Sequence, residues 1–176
     1  MKDKILVVED DTAIAKGLIH NLAFEGHEVR HAAHGLAAMP IFNEFRPDLV
    51  ILDVMLPGKS GFDILDEIRA ADSNVQVIIL SAKTGETDKV EGLRRGADDY
   101  VSKPFSLKEF LARVDSAMRR IRLRKNEENA PIEFGDLTIL PAEMTVLRNG
   151  NPIRLTPKAI ELLIFFARNP NHAYSR

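Results

Sequence analysis

Four times between residues 5 and 104 a short, largely apolar run ends in a side chain that can bind or transfer a group. Ile5-Leu6-Val7-Val8 runs into Glu9-Asp10-Asp11, Leu49-Val50-Ile51-Leu52 into Asp53, Val75 to Leu80 into Ser81-Ala82, and Tyr100-Val101-Ser102 into Lys103-Pro104. Apolar runs without polar alternation belong to strands buried on both faces, the situation inside a parallel sheet. Helical spacing of apolar residues fills the intervals between them, and strand-helix alternation predicts a parallel sheet with helices on both faces. The carboxyl ends of the strands form the ligand edge of such a sheet, so this edge collects three acids, a hydroxyl and an amine.

Five strand-helix units follow in order. A strand Lys4 to Val8 leads to a helix from about Thr12 to Glu25, with Ile14, Leu18 and Leu22 on one face and Gly26 as the stop. A strand Glu28 to Ala32 and a helix Gly35 to Phe45 come next, then the Asp53 strand and a helix Gly61 to Ala71. A weaker helix, Glu86 to Arg95, follows Ser81, and Ser106 is expected to cap a long fifth helix carrying Leu107, Phe110, Val114, Met118 and Ile121. Residues 123–131 are polar and charge-dense and are expected to form a linker. Beyond them Ile132 to Phe134, Leu137 to Leu140, Thr145 to Leu147 and Ile153 to Leu155 predict a small antiparallel sheet, with a hairpin turn at Asn149-Gly150. Thr156-Pro157 starts a helix to about Arg168 that is apolar nearly all round, the pattern of a helix buried on more than one side. Residues 132–176 therefore resemble the front of a longer second domain.

Bulk composition excludes several classes. At 176 residues with 45% hydrophobic content the chain has room for one domain and part of another. A net charge of -2 gives no overall basic field for nucleic acid. The absence of cysteine removes disulfides and thiolate metal sites. No signal peptide or membrane-length apolar stretch is visible, and a cytoplasmic location is the expectation.

In the doubly wound order 2-1-3-4-5 the first and third strands are neighbours, which brings Glu9 and Asp10 beside Asp53. Like charges this close need a partner, and a set of oxygen ligands without His or Cys suits a hard cation that keeps several waters, Mg²⁺ rather than a caged Ca²⁺. Ser81 and Lys103 stand at the ends of the next two strands. Carboxylate, metal, hydroxyl and ammonium together suit phosphoryl transfer to Asp53. Asp11 fits a helix cap better than a ligand. The five His show no ligand spacing, and His31 and His34 are expected at the surface. Arg119, Arg120, Arg122, Arg124 and Lys125 are read as cations suited to a helix end rather than as a nucleic-acid patch.

Glu9-Asp10, Asp53 with Met55-Leu56-Pro57-Gly58, Ser81-Ala82, Gly96-Ala97-Asp98-Asp99-Tyr100 and Lys103-Pro104-Phe105 resemble the receiver domain of two-component response regulators, a CheY-like (flavodoxin-like) α/β fold, over residues 1–122. Residues 132–170, with Leu155-Thr156-Pro157-Lys158 and Glu161-Leu162-Leu163, resemble the start of the winged-helix effector of the OmpR/PhoB subfamily, its recognition helix and wing lying beyond this sequence. The resemblance implies a switch that accepts a phosphoryl group on itself, with at most self-phosphorylation and autodephosphorylation, rather than an enzyme, and a sensor histidine kinase that passes its phosphoryl group to Asp53. It further implies Mg²⁺ held by Asp10, Asp53 and the Met55 carbonyl with Glu9 assisting through water, Lys103 on the phosphoryl group, and a cis peptide between Lys103 and Pro104. Ser81 and Tyr100 match the family's switch pair. Lys89, Val90, Leu93, Asp98, Asp99, Glu109 and Arg113 match positions of a two-fold homodimer through the fourth helix, fifth strand and fifth helix. DNA is expected as a partner of the intact protein only. Two rivals are a haloacid-dehalogenase-like phosphatase and a stand-alone signalling receiver acting through protein contacts. The phosphatase is disfavoured because that family places an acid where Met55 stands.

Overall fold

The computed structural model describes residues 2–82 and 85–169. The chain divides into two compact units, Met1–Ile121 and Arg122–Arg176. In the first, strands β1 (Lys4–Val8), β2 (Glu28–Ala32), β3 (Leu49–Asp53), β4 (Gln76–Ser81) and β5 (Asp99–Ser102) alternate with helices α1 (Thr12–Phe24), α2 (Gly35–Phe45), α3 (Gly61–Ala71), α4 (Glu86–Arg94) and α5 (Leu107–Asn129), the last continuing from Arg122 onward into the second unit. Every pairing is parallel, and the order β2-β1-β3-β4-β5 is the one expected from the sequence.

Alternation along the strands builds two cores, one on each side of the sheet. Leu6, Val8, Val50, Leu52, Val77 and Ile79 pack with Phe42 and Phe45 of α2 and Leu65 and Ile68 of α3. Their neighbours Ile5, Val7, Leu49, Ile51, Ile78 and Leu80 pack with Leu18 and Leu22 of α1 and Phe110, Val114 and Met118 of α5. Each such side chain contributes about 1.5–3 kcal/mol on burial, which holds the strand ends in place. Burial also outweighs local cost in α2, where Pro40 sits inside the helix while Phe42 and Phe45 are buried. Asp11 caps α1, its Oδ1 accepting from the Ala13 and Ile14 N–H groups at 2.8 and 3.0 Å.

The stretch expected as a linker is largely helical instead, because α5 continues to Asn129. Arg, Lys, Glu and Asn dominate it; the first three are good helix formers, and Arg124 and Glu128 pair at 3.5 Å one turn apart. Polarity alone does not separate a solvated helix from a linker. Arg119 to Lys125 consequently lie inside the helix rather than in its last turn, so the helix-end explanation of those cations fails.

The second unit holds β6 (Ile132–Phe134), β7 (Leu137–Leu140), β8 (Thr145–Arg148) and β9 (Asn151–Ile153), antiparallel in that order, followed by α6 (Pro157–Arg168). Asn149 and Gly150 both have positive φ, 48° and 79°, the backbone of a two-residue primed turn. So short a turn starts the return strand at Asn151, two residues earlier than the apolar pattern suggested. Thr156 caps α6 by accepting from the Ala159 N–H at 3.3 Å. Ile139, Val146 and Ile160 are its buried apolar centre. Among the described residues no helix is long and apolar enough to cross a membrane.

Candidate functional site

Register sets the site. Val8 pairs with Leu52, so Glu9 stands level with Asp53, while Ser81 pairs with Ser102 and puts Lys103 one residue further on. Lys103 Nζ donates to both Glu9 oxygens at 2.9 and 2.7 Å and to Asp53 Oδ2 at 2.5 Å. The Met55 N–H donates to Asp53 Oδ1 at 2.9 Å, and the Asp11 N–H to Glu9 Oε1 at 3.2 Å. Glu9, Asp53 and Ser81 are the buried polar side chains among the described residues, whereas Asp10 is exposed. One oxygen each from Glu9, Asp10 and Asp53 lies within 4.8 Å of the others. Three carboxylates face one ammonium, a balance that a divalent cation completes, and oxygen-only donors are the chemistry of a hard ion such as Mg²⁺.

Burial pushes the Glu9 carboxyl up, against the hydrogen bond and charge of Lys103, with the Asp53 charge adding to the rise. For Lys103 burial acts downward, but its bonds to Asp53 and Glu9 prevail and hold the ammonium above its ordinary range. Lys103 is thus a fixed positive charge at the edge of the sheet. The Lys103-Pro104 peptide is cis.

Two supports of this geometry escaped sequence reasoning. Gly61, the first residue of α3, donates its N–H to the Val54 carbonyl at 3.0 Å. A β-carbon there would sit 2.0 Å from the Asp53 carbonyl oxygen, so only glycine lets α3 start against the backbone of Asp53. His31, expected at the surface, is half-buried, with Nε2 2.8 Å from the Glu9 carbonyl oxygen. A carbonyl only accepts, so this nitrogen carries the proton. Strand pairing of β1 with β2, invisible in the bare spacing of His residues, is what brings it there.

Tyr100 is buried on the α2-α3 face of the sheet, beside Ile79, and Ser81 follows Ile79 by two on the same strand and so faces the same side. The residues matched to a dimer surface are in different situations. Lys89, Val90 and Leu93 are exposed on α4. Arg113 pairs within its own chain, with Asp99 at 2.9 Å and Glu109 at 2.9 Å. Asp98 accepts from Arg69 at 2.8 Å, from the Val77 N–H at 2.8 Å and from Gln76 at 3.1 Å. Arg69 also reaches the Gly96 and Val75 carbonyls at 2.7 and 2.6 Å, a clamp from α3 that sequence reasoning did not find.

The acids, hydroxyl and lysine at the strand ends of a five-stranded 2-1-3-4-5 sheet meet a direct family match, the response regulator receiver domain, over residues 5–115. This chain belongs to the response regulators. The DNA-binding response regulator MtrA of Mycolicibacterium smegmatis is 43% identical to it over 178 residues, spanning 100% of this chain and 75% of MtrA. Among solved structures, response regulator DrrB of Thermotoga maritima, an OmpR/PhoB homologue, aligns with a TM-score of 0.64 at 34% identity, over 98% of this chain and 75% of its own. The BeF3-activated N-terminal receiver domain of Klebsiella pneumoniae RstA aligns with a TM-score of 0.64 at 29% identity, over 66% of this chain and 99% of its own. With a receiver-domain match over most of the chain and a DNA-binding response regulator as a relative, the phosphatase alternative falls away.

Proposed function

We propose that this chain is a phosphorylation-controlled transcription regulator in which Asp53 accepts a phosphoryl group from a sensor histidine kinase. The observation that carries the proposal is the convergence of Lys103 Nζ on two buried carboxylates, Glu9 and Asp53, with Asp10 alongside. An Asp53 oxygen attacks the phosphorus of a phosphohistidine, an O–P bond forms as the N–P bond breaks, and the imidazole, already protonated on its other nitrogen, leaves as the neutral base. Lys103 neutralises charge on the phosphoryl oxygens, and the Met55 N–H orients the Asp53 carboxylate. Asp10, Asp53 and the Met55 carbonyl would hold Mg²⁺, with Glu9 assisting through water; the ion supplies Lewis-acid neutralisation of the transferring group.

Ser81 and Tyr100 form the switch pair of this proposal, since both lie on one side of the sheet and lead from the acceptor toward α4. Output is dimerisation through α4, β5 and α5. Val90 and Leu93 are its apolar centre, and Arg113, Asp99, Glu109 and Lys89 exchange partners across the two-fold axis. Asp98 joins that surface only by loosening its hold on Arg69 and Gln76. We assign residues 1–122 to the receiver and 132–176 to the front of a winged-helix effector. The four-stranded sheet with α6 and the alignment with DrrB over 98% of this chain support that assignment over a stand-alone receiver.

Size-exclusion chromatography with light scattering tests the coupling. With Mg²⁺ and beryllofluoride the chain is expected to double in mass, and Asp53→Ala to stay monomeric under the same conditions. An Asp53→Ala variant that dimerises as readily as the parent overturns the proposal.

A further inference from the structure

Helix α4 is seated on the sheet at a glycine. Among its residues Gly92 alone is buried, while Val90 and Leu93 are 39% and 49% exposed, so the buried point of α4 has no side chain of its own. The sheet's side chains reach the helix instead. A β-carbon on Gly92 would lie 2.8 Å from Ile79 Cδ1 and 3.2 Å from Tyr100 Cδ2. Glycine is the poorest helix former after proline, and its place inside a nine-residue helix calls for a packing reason. That reason is the Tyr100 ring, buried to 8% exposure against the helix backbone. Ile79, 1% exposed, is fixed between neighbouring strands, which leaves the ring and α4 as the movable partners.

We propose that Gly92 is the positioning residue for Tyr100: its missing side chain is the notch that holds the ring inward, and it couples the ring to the height of α4 above the sheet. The proposal rests on Tyr100 acting as the switch and names the residue that sets its bias. With any side chain at position 92, ring and helix compete for one space. Either the ring turns outward or α4 lifts, and both change the surface that carries Val90 and Leu93. The nearest atoms to that β-carbon belong to Ile79 and Tyr100, so the acceptor chemistry at Asp53 is untouched.

The test uses the chain's own fluorophores. It has two tyrosines, Tyr100 and Tyr174, and no tryptophan, so Tyr174→Phe leaves Tyr100 as the sole emitter. Iodide quenching is expected to show a protected ring in this parent and an accessible one in Gly92→Ala, with the inward-to-outward ratio falling about tenfold, the scale of overpacking by one methyl group. Gly92→Ala with Ile79→Val removes the 2.8 Å contact but keeps the crowding of Tyr100, and serves if the single variant folds poorly. Intact mass after incubation with Mg²⁺ and acetyl phosphate should show the same adduct as the parent, while beryllofluoride-induced dimerisation weakens. A ring as protected in both variants as in the parent together with unchanged dimerisation overturns the proposal, and so does an exposed ring with unchanged dimerisation. Should no chain, parent included, form the adduct, the phosphoryl assignment fails while quenching still decides the role of Gly92.

Discussion

The two units spend similar apolar side chains on opposite outcomes. In the first, β1, β3 and β4 are covered on both faces, and the result is a rigid sheet edge that keeps Glu9 and Asp53 buried side by side with Lys103. In the second, three buried apolar side chains form the centre, while Phe134 is 70% and Leu162 54% exposed. Among the described residues, that unit buries no charged side chain. Crowded like charges at a strand end need a scaffold that does not yield, and only the doubly covered sheet provides one.

Amide hydrogen exchange measures the difference between the two units across the whole fold. Protection in β1, β3 and β4 is expected to exceed that in β6 to β9 by about a thousandfold, because exchange tracks the free energy of local opening. Equal protection would mean that the second unit has a core of comparable strength. A narrower test is Lys103→Met, which leaves two buried carboxylates facing each other without their ammonium. Urea unfolding should show a loss of about 3–5 kcal/mol, the usual cost of breaking a buried pair from one side, with partial recovery on adding Mg²⁺. Unchanged stability would show that the site tolerates its charges without Lys103.

The smallest effect lies in the second unit, at an exposed pair. The hydrogen bond from Arg148 at 2.6 Å holds the Asp136 carboxyl below its ordinary value of 3.8. A folded-state value below the unfolded one contributes stability that is in place above pH 3.8 and is lost as pH falls through the lowered value. An NMR titration of the Asp136 carboxyl should show the depressed midpoint, and Arg148→Gln should return it to the ordinary range. A midpoint unmoved by Arg148→Gln would show that Arg148 does not set the Asp136 titration.

Much of the first unit was legible because strand, helix and site share one grammar: apolar runs mark the strands, and the residue ending each run is the one presented at the edge. Asp53 and Lys103 could be singled out on that basis alone, as could the Asp11 cap. What escaped has a common cause. Gly61, Gly92 and Arg69 matter through close approach between elements, and no local pattern records a β-carbon that would strike a carbonyl across a turn. His31 depended on β2 lying next to β1. The extension of α5 to Asn129 was missed because the same Arg, Lys and Glu residues suit a linker and a solvated helix equally. In the second unit the apolar pattern placed the strands, and the tightness of the Asn149-Gly150 turn moved the last one.

Intact mass spectrometry reads out whether Asp53 is the phosphoryl acceptor. The chain and Asp53→Ala are incubated with acetyl phosphate, with and without Mg²⁺, and the adduct is located by peptide mapping. A single phosphoryl adduct on the peptide carrying Asp53, dependent on Mg²⁺ and missing from Asp53→Ala, is the predicted result. An adduct that persists in Asp53→Ala, or none under any condition, would contradict it.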